Sequence, residues 1–514
     1  MQRLLSIIII SLLFFGFTNP DDKKEDTIRR LKANVKFLAS DELEGRYTGA
    51  HGERVAGQFI ASELEKYGIK PFGENGTYFQ EVPLFSKILD TTSTITLYKS
   101  ANEEEKTILK ISKDFAMSGG FLTEKIDTQT KRGIAYVGFG ITAEEYGYDD
   151  YSGMDVEGKL IIFHFGEPYS EDENYFAGQA PTEHSLLEKK FFLAASKNVA
   201  GIICLLPESS MANADAIGLQ SFNESICFPD DSGISSGFVL PPVTIMYPSG
   251  AEKIFSDEKN NYKEIIEKLK SKEEPESFIL DTKLRLTLSR TVTGLTGRNV
   301  IGLLEGNDPL LKKEFIILSA HYDHLGMTNG VVFNGADDNV SGTAAIMEVT
   351  RQLYNENKNA RSVITILYTG EEKGLLGSTY FVSKFPGIEN VVVNINIDMC
   401  GRESIDTLFC VGPDRTSVEF DGIIKEVNKK YVGFTLDYSN SNYEWIHRSD
   451  LAPYYKIGIP LVDFGDNMSE DYHRPTDDTE KINFEKMYKA TELVKSIALE
   501  VANLNHKLQF TGDL

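Results

Sequence analysis

The chain has 514 residues, which is too long for one ordinary core and predicts two or three domains. Its composition is that of a globular protein, with 41% apolar and 25% charged residues. The formal net charge of −24 argues against a nucleic-acid partner, because such a partner requires a basic face.

The first 19 residues have the pattern of a signal peptide. Arg3 supplies a positive charge, and Leu4–Phe17 is a mostly apolar run of 14 residues without a charged side chain. This run is short for a transmembrane helix, which needs about 20 apolar residues. No clear A-x-A cleavage site follows it. We therefore expect export to the periplasm or the medium, with no membrane attachment after the segment is removed.

Two helices are predicted before residue 70. Asp26–Leu38 repeats apolar residues at helical spacing, and so does Glu53–Tyr67, which is followed by Gly68 at the position of a C-terminal cap. The turn-rich segment between them contains Arg46 and His51. For both side chains we favour a role in ordering the loop over a role in a functional site.

The segment from about 120 to 282 is predicted to be a separate, β-rich module inserted into the chain. Glycine and proline separate its short strands, whose sequences are GIAYVGFG, GKLIIFHFG and IICLLP. Its histidines, His164 and His184, are isolated from other potential ligands, so structural or surface roles are favoured. The charged segment 260–276 is predicted to be an exposed helix and linker.

The four cysteines are Cys204, Cys227, Cys400 and Cys410. None has C-x-x-C spacing, which argues against a zinc–thiolate site. Two local disulfides in an exported chain and four buried thiols both fit the sequence, and the alternative stays open at this point.

After Ser289 the pattern becomes α/β. Three continuous apolar runs, FIILSA, VITILY and VVVNINI, are separated by helical stretches and predict parallel strands covered on both faces. RNVIGLLEG and FIILSA are predicted to form a hairpin across Gly306–Pro309. Helices are predicted at Ser341–Asn355 and Asn483–Leu504. The fold class is therefore mixed α/β, with a mostly parallel sheet flanked by helices.

Potential metal ligands follow these strands, and another follows much later in the chain: His321, Asp338, Glu371, Glu372, Asp398 and His473. Ligands of open α/β sheets bind beyond the carboxyl ends of the strands. Imidazole and carboxylate without thiolate suit zinc, with manganese or cobalt as alternatives. Six residues exceed the need of one catalytic zinc. Two metals that share a bridging carboxylate would use five and leave one carboxylate as a general base.

Taken together, five motifs resemble those of the M28 family of two-zinc aminopeptidases, in its exported bacterial branch with a protease-associated (PA) domain insert. The motifs are HYDHLG, GADDNVSG, GEEKGLLGS, NINIDM and DYHRPTDDTEKI. The resemblance implies a zinc-exopeptidase fold in a discontinuous peptidase domain at 26–119 and 283–514. It also implies that the module at 120–282 is a PA-like domain.

The resemblance also implies a place for each ligand. His321 and Asp398 would hold one zinc ion. Glu372 and His473 would hold the other, and Asp338 would bridge the two. Two zinc ions per chain are therefore expected.

Further roles follow from the same resemblance. Glu371 would act as general base and acid. Asp323 would accept a hydrogen bond from the far nitrogen of His321 and fix its orientation. Tyr472 would place its hydroxyl near the oxyanion, although a packing role is equally open. A cis peptide is expected at Asp338–Asn339.

The expected function is that of a metallo-aminopeptidase acting on peptides with a free N-terminus, through a hydroxide bridged by two zinc ions. The alternatives are a glutaminyl cyclase-like enzyme with one zinc and a non-catalytic binding protein on the same scaffold. The chain departs from its relatives at Leu451, where they often have histidine. Tyr443, Trp445 and His447 are candidates for the pocket of the first substrate side chain, or for packing. The oligomeric state is not determined by the sequence.

Overall fold

The computed structural model describes most of the chain beyond the predicted leader. The described residues are 20–99, 105–117, 131–169, 171–172, 174–176, 178, 182–208, 224–229, 232–234, 241–256, 258–270, 276–402 and 404–512. The predicted signal peptide at 1–19 lies outside them. No described helix has the length and apolar character needed to cross a membrane.

A mixed sheet forms the centre of the larger module. Its described strands are, in spatial order, Glu224–Cys227, Phe79–Leu89, Arg290–Leu304, Ser362–Tyr368, Phe315–His321, Val391–Asp398, Leu461–Gly465, Thr407–Val411 and Thr435–Asp437, and Lys70–Pro71 pairs beside Arg290–Leu304. The four strands Ser362–Tyr368, Phe315–His321, Val391–Asp398 and Leu461–Gly465 run parallel. The continuous apolar runs predicted this for the first three.

Helices cover both faces of this sheet, and for that reason its central strands carry apolar residues on both sides. One face packs against Pro20–Leu38, His51–Lys66, Gly342–Glu356, Val418–Tyr431 and Phe484–Ala502. The other face packs against Leu376–Lys384, Tyr443–Arg448 and Ala452–Tyr455. The predicted helices are thus present, with ends that differ by a few residues.

The predicted hairpin across Gly306–Pro309 is wrong. Strand Ser362–Tyr368 lies between the two strands concerned, antiparallel to Arg290–Leu304 and parallel to Phe315–His321. The two strands are therefore neighbours in sequence but not in the sheet. A short connection suggested direct pairing, but the later strand occupies the position between them.

A second sheet forms the other module. Its described strands are, in spatial order, Glu105–Lys110, Thr94–Lys99, Phe278–Thr287, Arg132–Tyr136, Leu160–His164, Gly201–Leu205, Val243–Met246 and Phe115–Met117. The four strands from Arg132–Tyr136 to Val243–Met246 are parallel. Helix Leu187–Ser196 covers one face, and helices Pro248–Ile254 and Tyr262–Lys270 cover the other.

Two features of this module differ from the sequence-based description. Strands Thr94–Lys99, Glu105–Lys110 and Phe115–Met117 pair within the second sheet, although the division at residue 120 placed them in the first module. The helix expected to be exposed, Tyr262–Lys270, buries Tyr262 and Ile265 in the core. Its charged residues follow the outer face of an amphipathic helix, and the inner face is apolar.

One strand from the middle of the chain joins the large sheet. Glu224–Cys227 pairs antiparallel with Phe79–Leu89. The carboxylate of Glu224 accepts hydrogen bonds from the hydroxyls of Tyr47, at 2.9 Å, and Ser86, at 2.5 Å. The four cysteines are free thiols, so neither local disulfide is formed.

Candidate metal centre

The first two candidate ligands lie at the ends of neighbouring parallel strands. His321 ends the strand Phe315–His321, and Asp398 ends the strand Val391–Asp398. The Nε2 atom of His321 lies 3.3 Å from Oδ1 of Asp398. Because parallel strands end at the same edge of a sheet, their polar terminal residues meet there.

Asp338 lies between two histidines. Its Oδ1 atom is 3.4 Å from Nε2 of His321, and its Oδ2 atom is 3.2 Å from Nε2 of His473. The peptide bond from Asp338 to Asn339 is cis, as the family resemblance predicted. The two oxygens of one carboxylate therefore face two separate imidazoles, which is the arrangement a bridging ligand requires.

The remaining predicted residues complete the cluster. Oε2 of Glu372 is 3.1 Å from Nε2 of His473, and Oε2 of Glu371 is 3.9 Å from Nε2 of His321. His473 has a left-handed backbone with φ of 55°. All six residues that the sequence pattern selected thus lie together at one edge of the large sheet.

The donor atoms fit divalent cations. Oδ2 of Asp338 and Oδ1 of Asp398 are buried and accept no well-aligned hydrogen bond from any described residue, although imidazole nitrogens lie 3.2 Å and 3.3 Å away. A buried carboxylate oxygen without a partner is costly unless a cation compensates it. The described residues contain two sets of three donors, and within each set the donor atoms lie within 4.8 Å of one another. The first set is His321, Asp338 and Asp398, the second is His324, Asp338 and Glu372, and the two share Asp338. Imidazole and carboxylate donors of this kind suit zinc.

His324 was not selected from the sequence. Its Nδ1 atom lies 2.7 Å from Oε1 of Glu372 and 3.9 Å from Oδ2 of Asp338. Its imidazole is fully buried, and its Nε2 has no hydrogen-bond partner among the described residues. The available sign was its place in HYDHLG, three residues after His321. Glu372 therefore has a histidine at each carboxylate oxygen, His324 on one side and His473 on the other.

The predicted contact of Asp323 differs in its atoms. Nδ1 of His321 faces the backbone carbonyl oxygen of Asp323 at 3.2 Å, while the carboxylate lies at 3.8 Å. That carboxylate instead accepts hydrogen bonds from the Thr48 hydroxyl, at 2.8 Å, and the Glu371 amide, at 3.1 Å. Asp323 therefore orients His321 through its main chain and holds the segment of Glu371 through its side chain.

A second buried carboxylate positions the loop of Asp338. Asp477 accepts hydrogen bonds from the backbone amides of Asp337 and Asp338 at 3.0–3.1 Å, and from Arg402 at 2.5 Å. The side chain of Asp337 accepts from the Gly401 amide at 2.7 Å. Asp337 thus stabilises the loop beneath the cluster through its hydrogen bond, and its neighbour Asp338 faces the candidate metal positions.

Electrostatics divide the carboxylates into two kinds. Burial alone would raise the pKa of Asp338 and Glu372, but the adjacent histidines outweigh burial and lower both pKa values. Burial raises the pKa of Glu371 well above its usual value, opposed by His321 and reinforced by Glu372. A carboxyl group of raised pKa can both accept and return a proton. Burial raises the pKa of Asp398 as well, but Asp398 belongs to a donor set and Glu371 does not. Glu371 is therefore the cluster residue left for proton transfer.

Five residues of the cluster line the floor of a cleft that is partly open to solvent: His321, Asp338, Glu371, Asp398 and His473. Tyr472 lines this cleft, and its ring stacks on that of His473 with centroids 3.9 Å apart. Trp445 also lines the cleft. Tyr443 and His447, the other two pocket candidates, instead pack on the ring of Tyr455.

The position where relatives often have histidine is apolar here. Leu451 is fully buried with Ile446 and Tyr454 beneath the cleft wall. Arg448, which was not selected from the sequence, lines the cleft beside Trp445. The cleft lining therefore combines an aromatic ring with a positive charge beside it.

Sequence comparison identifies the domain that carries the cluster. Residues 299–498 match the profile of peptidase family M28. Aminopeptidase YwaD of Bacillus subtilis is 27% identical over 263 residues, which cover 46% of this chain and 51% of that protein. A glutamate carboxypeptidase 2 homolog of Caenorhabditis elegans is 25% identical over 305 residues, 52% of this chain and 37% of that protein. The matches to these curated relatives thus span about half of their length or less.

Solved structures agree with the fold. An aminopeptidase from Aneurinibacillus sp. strain AM-1 superposes with a TM-score of 0.53 at 17% identity and covers 96% of both chains. The zinc aminopeptidase BSAP from Bacillus subtilis superposes with a TM-score of 0.51 at 18% identity, over 92% of this chain and 94% of that one. These matches confirm the predicted mixed α/β fold.

Proposed function

We propose that this chain, which belongs to peptidase family M28 through residues 299–498, is a metal-dependent aminopeptidase with two zinc ions. The observation that carries the proposal is the pair of donor sets that share Asp338. One ion would lie between His321, Asp338 and Asp398. The other would be held by Asp338 and Glu372 of the second set together with His473, whose Nε2 lies 3.2 Å and 3.1 Å from their carboxylate oxygens. His324 of that set would contact the other oxygen of Glu372. Zinc supplies a Lewis acid that polarises a carbonyl and makes water more acidic.

Glu371 is the proposed general base and acid. Its carboxylate lies 3.9 Å from His321, whereas Asp338 occupies the position between His321 and His473. The pKa of Glu371 is raised chiefly by burial. It would take a proton from the attacking water and deliver it to the departing amine of the cleaved bond. The Asp323 carboxylate accepts a hydrogen bond from the backbone amide of Glu371 and so fixes the main chain from which the Glu371 side chain extends.

The substrate proposed is a peptide with a free N-terminus. The carboxylates at the cleft floor favour a cationic amine, and an acylated amine would lose that charge. Tyr472 borders the same floor, and we propose that its hydroxyl stabilises the oxyanion formed from the scissile carbonyl.

A glutaminyl cyclase-like enzyme with one zinc is the alternative enzyme, and the second donor set argues for the two-metal hydrolase. A binding protein without catalysis would not need Glu371 or the bridging carboxylate. The glutamate carboxypeptidase 2 homologs raise a third reaction class. In that class a basic side chain would be needed for the C-terminal carboxylate, and among the described cleft-lining residues Arg448 is the arginine available.

The test uses metal-free full-length protein titrated with zinc. The substrates are aminoacyl p-nitroanilides with a free amine and their N-acetylated counterparts. We expect hydrolysis of the free amines only, reaching its maximum near two zinc ions per chain. Equal hydrolysis of both forms would contradict the aminopeptidase, and a maximum at one zinc with cyclisation of N-terminal glutamine would favour the cyclase.

We also propose that the chain is exported and that the second module is a PA-like domain at the border of the cleft. Export is supported by the apolar run in residues 1–19. The module is supported by its motifs and by its own parallel sheet. N-terminal sequencing of the protein recovered from the native host would test the first, with a start near residue 20 expected.

A further inference from the structure

We propose that Arg448 binds a carboxylate group of the substrate; this inference rests on the proposed function. Arg448 is the last residue of the helix Tyr443–Arg448. It lines the cleft whose floor contains His321 and Glu371, and it is half-buried. Its side chain therefore reaches the space where a bound peptide would lie.

The guanidinium group has no carboxylate partner among the described side chains. Its central carbon lies 5.1 Å from the ring centroid of Trp445, a cation–π contact that fixes it against the wall. The basic residues beneath the cluster are different. Arg402 is paired with Asp477 at 2.5 Å, and Lys486 is paired with Asp466. Arg448 is thus held in place but keeps its charge available.

Arg448 supplies positive charge to the cleft wall. Apart from the histidines of the cluster, the other charged side chains among the described lining residues are acidic, Asp463 and Asp466 included. The neighbouring wall contains Phe409, Val411 and Met468, which offer no charge. A charged substrate group on this side of the cleft would therefore find Arg448 as its partner.

A carboxylate is the chemistry that fits. A guanidinium presents paired N–H donors in a plane that matches the two oxygens of a carboxylate. A peptide can supply that carboxylate from two places: an acidic side chain on its first residue, or the C-terminus of a peptide only two or three residues long.

Two matched substrate pairs distinguish these sources. Glutamyl and glutaminyl p-nitroanilide differ only in the side-chain charge and have no C-terminal carboxylate. Leu-Gly and Leu-Gly amide differ only at the C-terminus. The kcat/KM ratio within each pair is measured with zinc-loaded protein, so effects common to both members cancel.

The variants are Arg448→Gln and Arg448→Lys. The control is Arg474→Gln, which removes an equal charge from an exposed residue beside His473 that does not line the cleft. We expect the native protein to prefer the charged member of one pair. Arg448→Gln should reduce that preference by about 10- to 100-fold, because hydrogen bonds to charged groups are the stronger ones. Arg448→Lys should retain part of the preference, and Arg474→Gln should retain all of it.

The outcomes distinguish the role of Arg448 from the proposed aminopeptidase activity. A preference in the first pair identifies the side-chain carboxylate, and a preference in the second identifies the C-terminus. No preference in either pair, or one that survives Arg448→Gln, would overturn the role of Arg448 while the hydrolysis of neutral substrates stands. Failure to hydrolyse any of the four substrates would overturn the proposed function, and this inference with it.

Discussion

Two buried histidines at the ends of parallel strands show how much the neighbours matter. His321 ends a strand of the large sheet, and His164 ends a strand of the second sheet. Their exposed fractions are 1% and 6%. His321 faces the carboxylates of Asp338 and Asp398. His164 faces the rings of Tyr136 and Phe139 and lies near Lys190.

The pKa values of the two histidines consequently shift in opposite directions. Burial, reinforced by the positive charge of Lys190, lowers the pKa of His164 to about 3. Burial acts on His321 in the same sense, but the carboxylates of Asp398 and Glu371 outweigh it and raise its pKa. A strand-end histidine therefore becomes a cation site only where the adjacent loops and strands supply carboxylates.

The largest expected effect comes from removing the carboxylate that the two donor sets share. Asp338→Ala should lose both zinc ions and reduce hydrolysis to background, because each donor set would keep only two of its three groups. Metal content by plasma mass spectrometry and kcat/KM would be measured on the same preparation. His164→Phe is the matched control, and it should keep the full zinc content. Retention of two zinc ions by Asp338→Ala would contradict the bridging role.

The next effect separates chemistry from metal binding. Glu371→Gln should lower kcat by roughly 10² to 10⁴-fold, the usual contribution of a general acid–base. Its zinc content should stay at the native level, since Glu371 belongs to neither donor set. Full turnover in this variant would remove Glu371 from the mechanism, and loss of zinc would make it a ligand instead.

Much of the cluster could be predicted from the sequence because its signal is local. Continuous apolar runs predicted the parallel strands, and the polar residue after each run is carried to the same sheet edge. His321, Glu371, Glu372 and Asp398 follow from this reasoning, because each comes after one of the apolar runs. The assignment of a role to each of the six residues needed the family motifs, because a strand pattern does not determine the course of the loops that carry Asp338 and His473.

What was missed depends on contacts between distant segments. The position of His324 becomes informative only when Glu372 is seen to place one oxygen against it. Arg448 lies on a helix whose approach to the cleft depends on how that helix packs on the sheet. The false hairpin has the same origin. Apolar periodicity identifies a strand but does not say which strand will pair with it.

His324 offers a finer test of the carboxylate environment. His324→Leu removes the imidazole that contacts Oε1 of Glu372, so that this carboxylate loses one of its two orienting partners. Zinc affinity at the position that Glu372 would help to hold should fall about 10- to 100-fold, the usual cost of losing a group that orients a ligand. His324→Gln retains a donor and should lose less. Isothermal titration with zinc would measure both, and equal affinity in all three proteins would show that His324 only packs.

The smallest effect concerns the second sheet and the stability of the fold. The pKa of His164 is about 3 in the folded chain, below about 6.5 for an unfolded histidine. As the pH falls below 6.5, the unfolded chain therefore binds a proton that the folded chain does not. The stability contribution is complete above pH 6.5 and is lost as the pH falls towards 3.

His164→Phe should consequently remove part of the acid sensitivity of the native protein. Between pH 7 and pH 5 the native chain should lose about 1–2 kcal/mol more than the variant, because only the native unfolded state gains this proton. Asp150 and Lys190 remain in both proteins, so their own titrations cancel in the comparison. Urea unfolding followed by circular dichroism at the two pH values would measure the difference. An identical pH dependence would mean that His164 is not kept neutral in the fold, and the contrast with His321 would then rest on geometry alone.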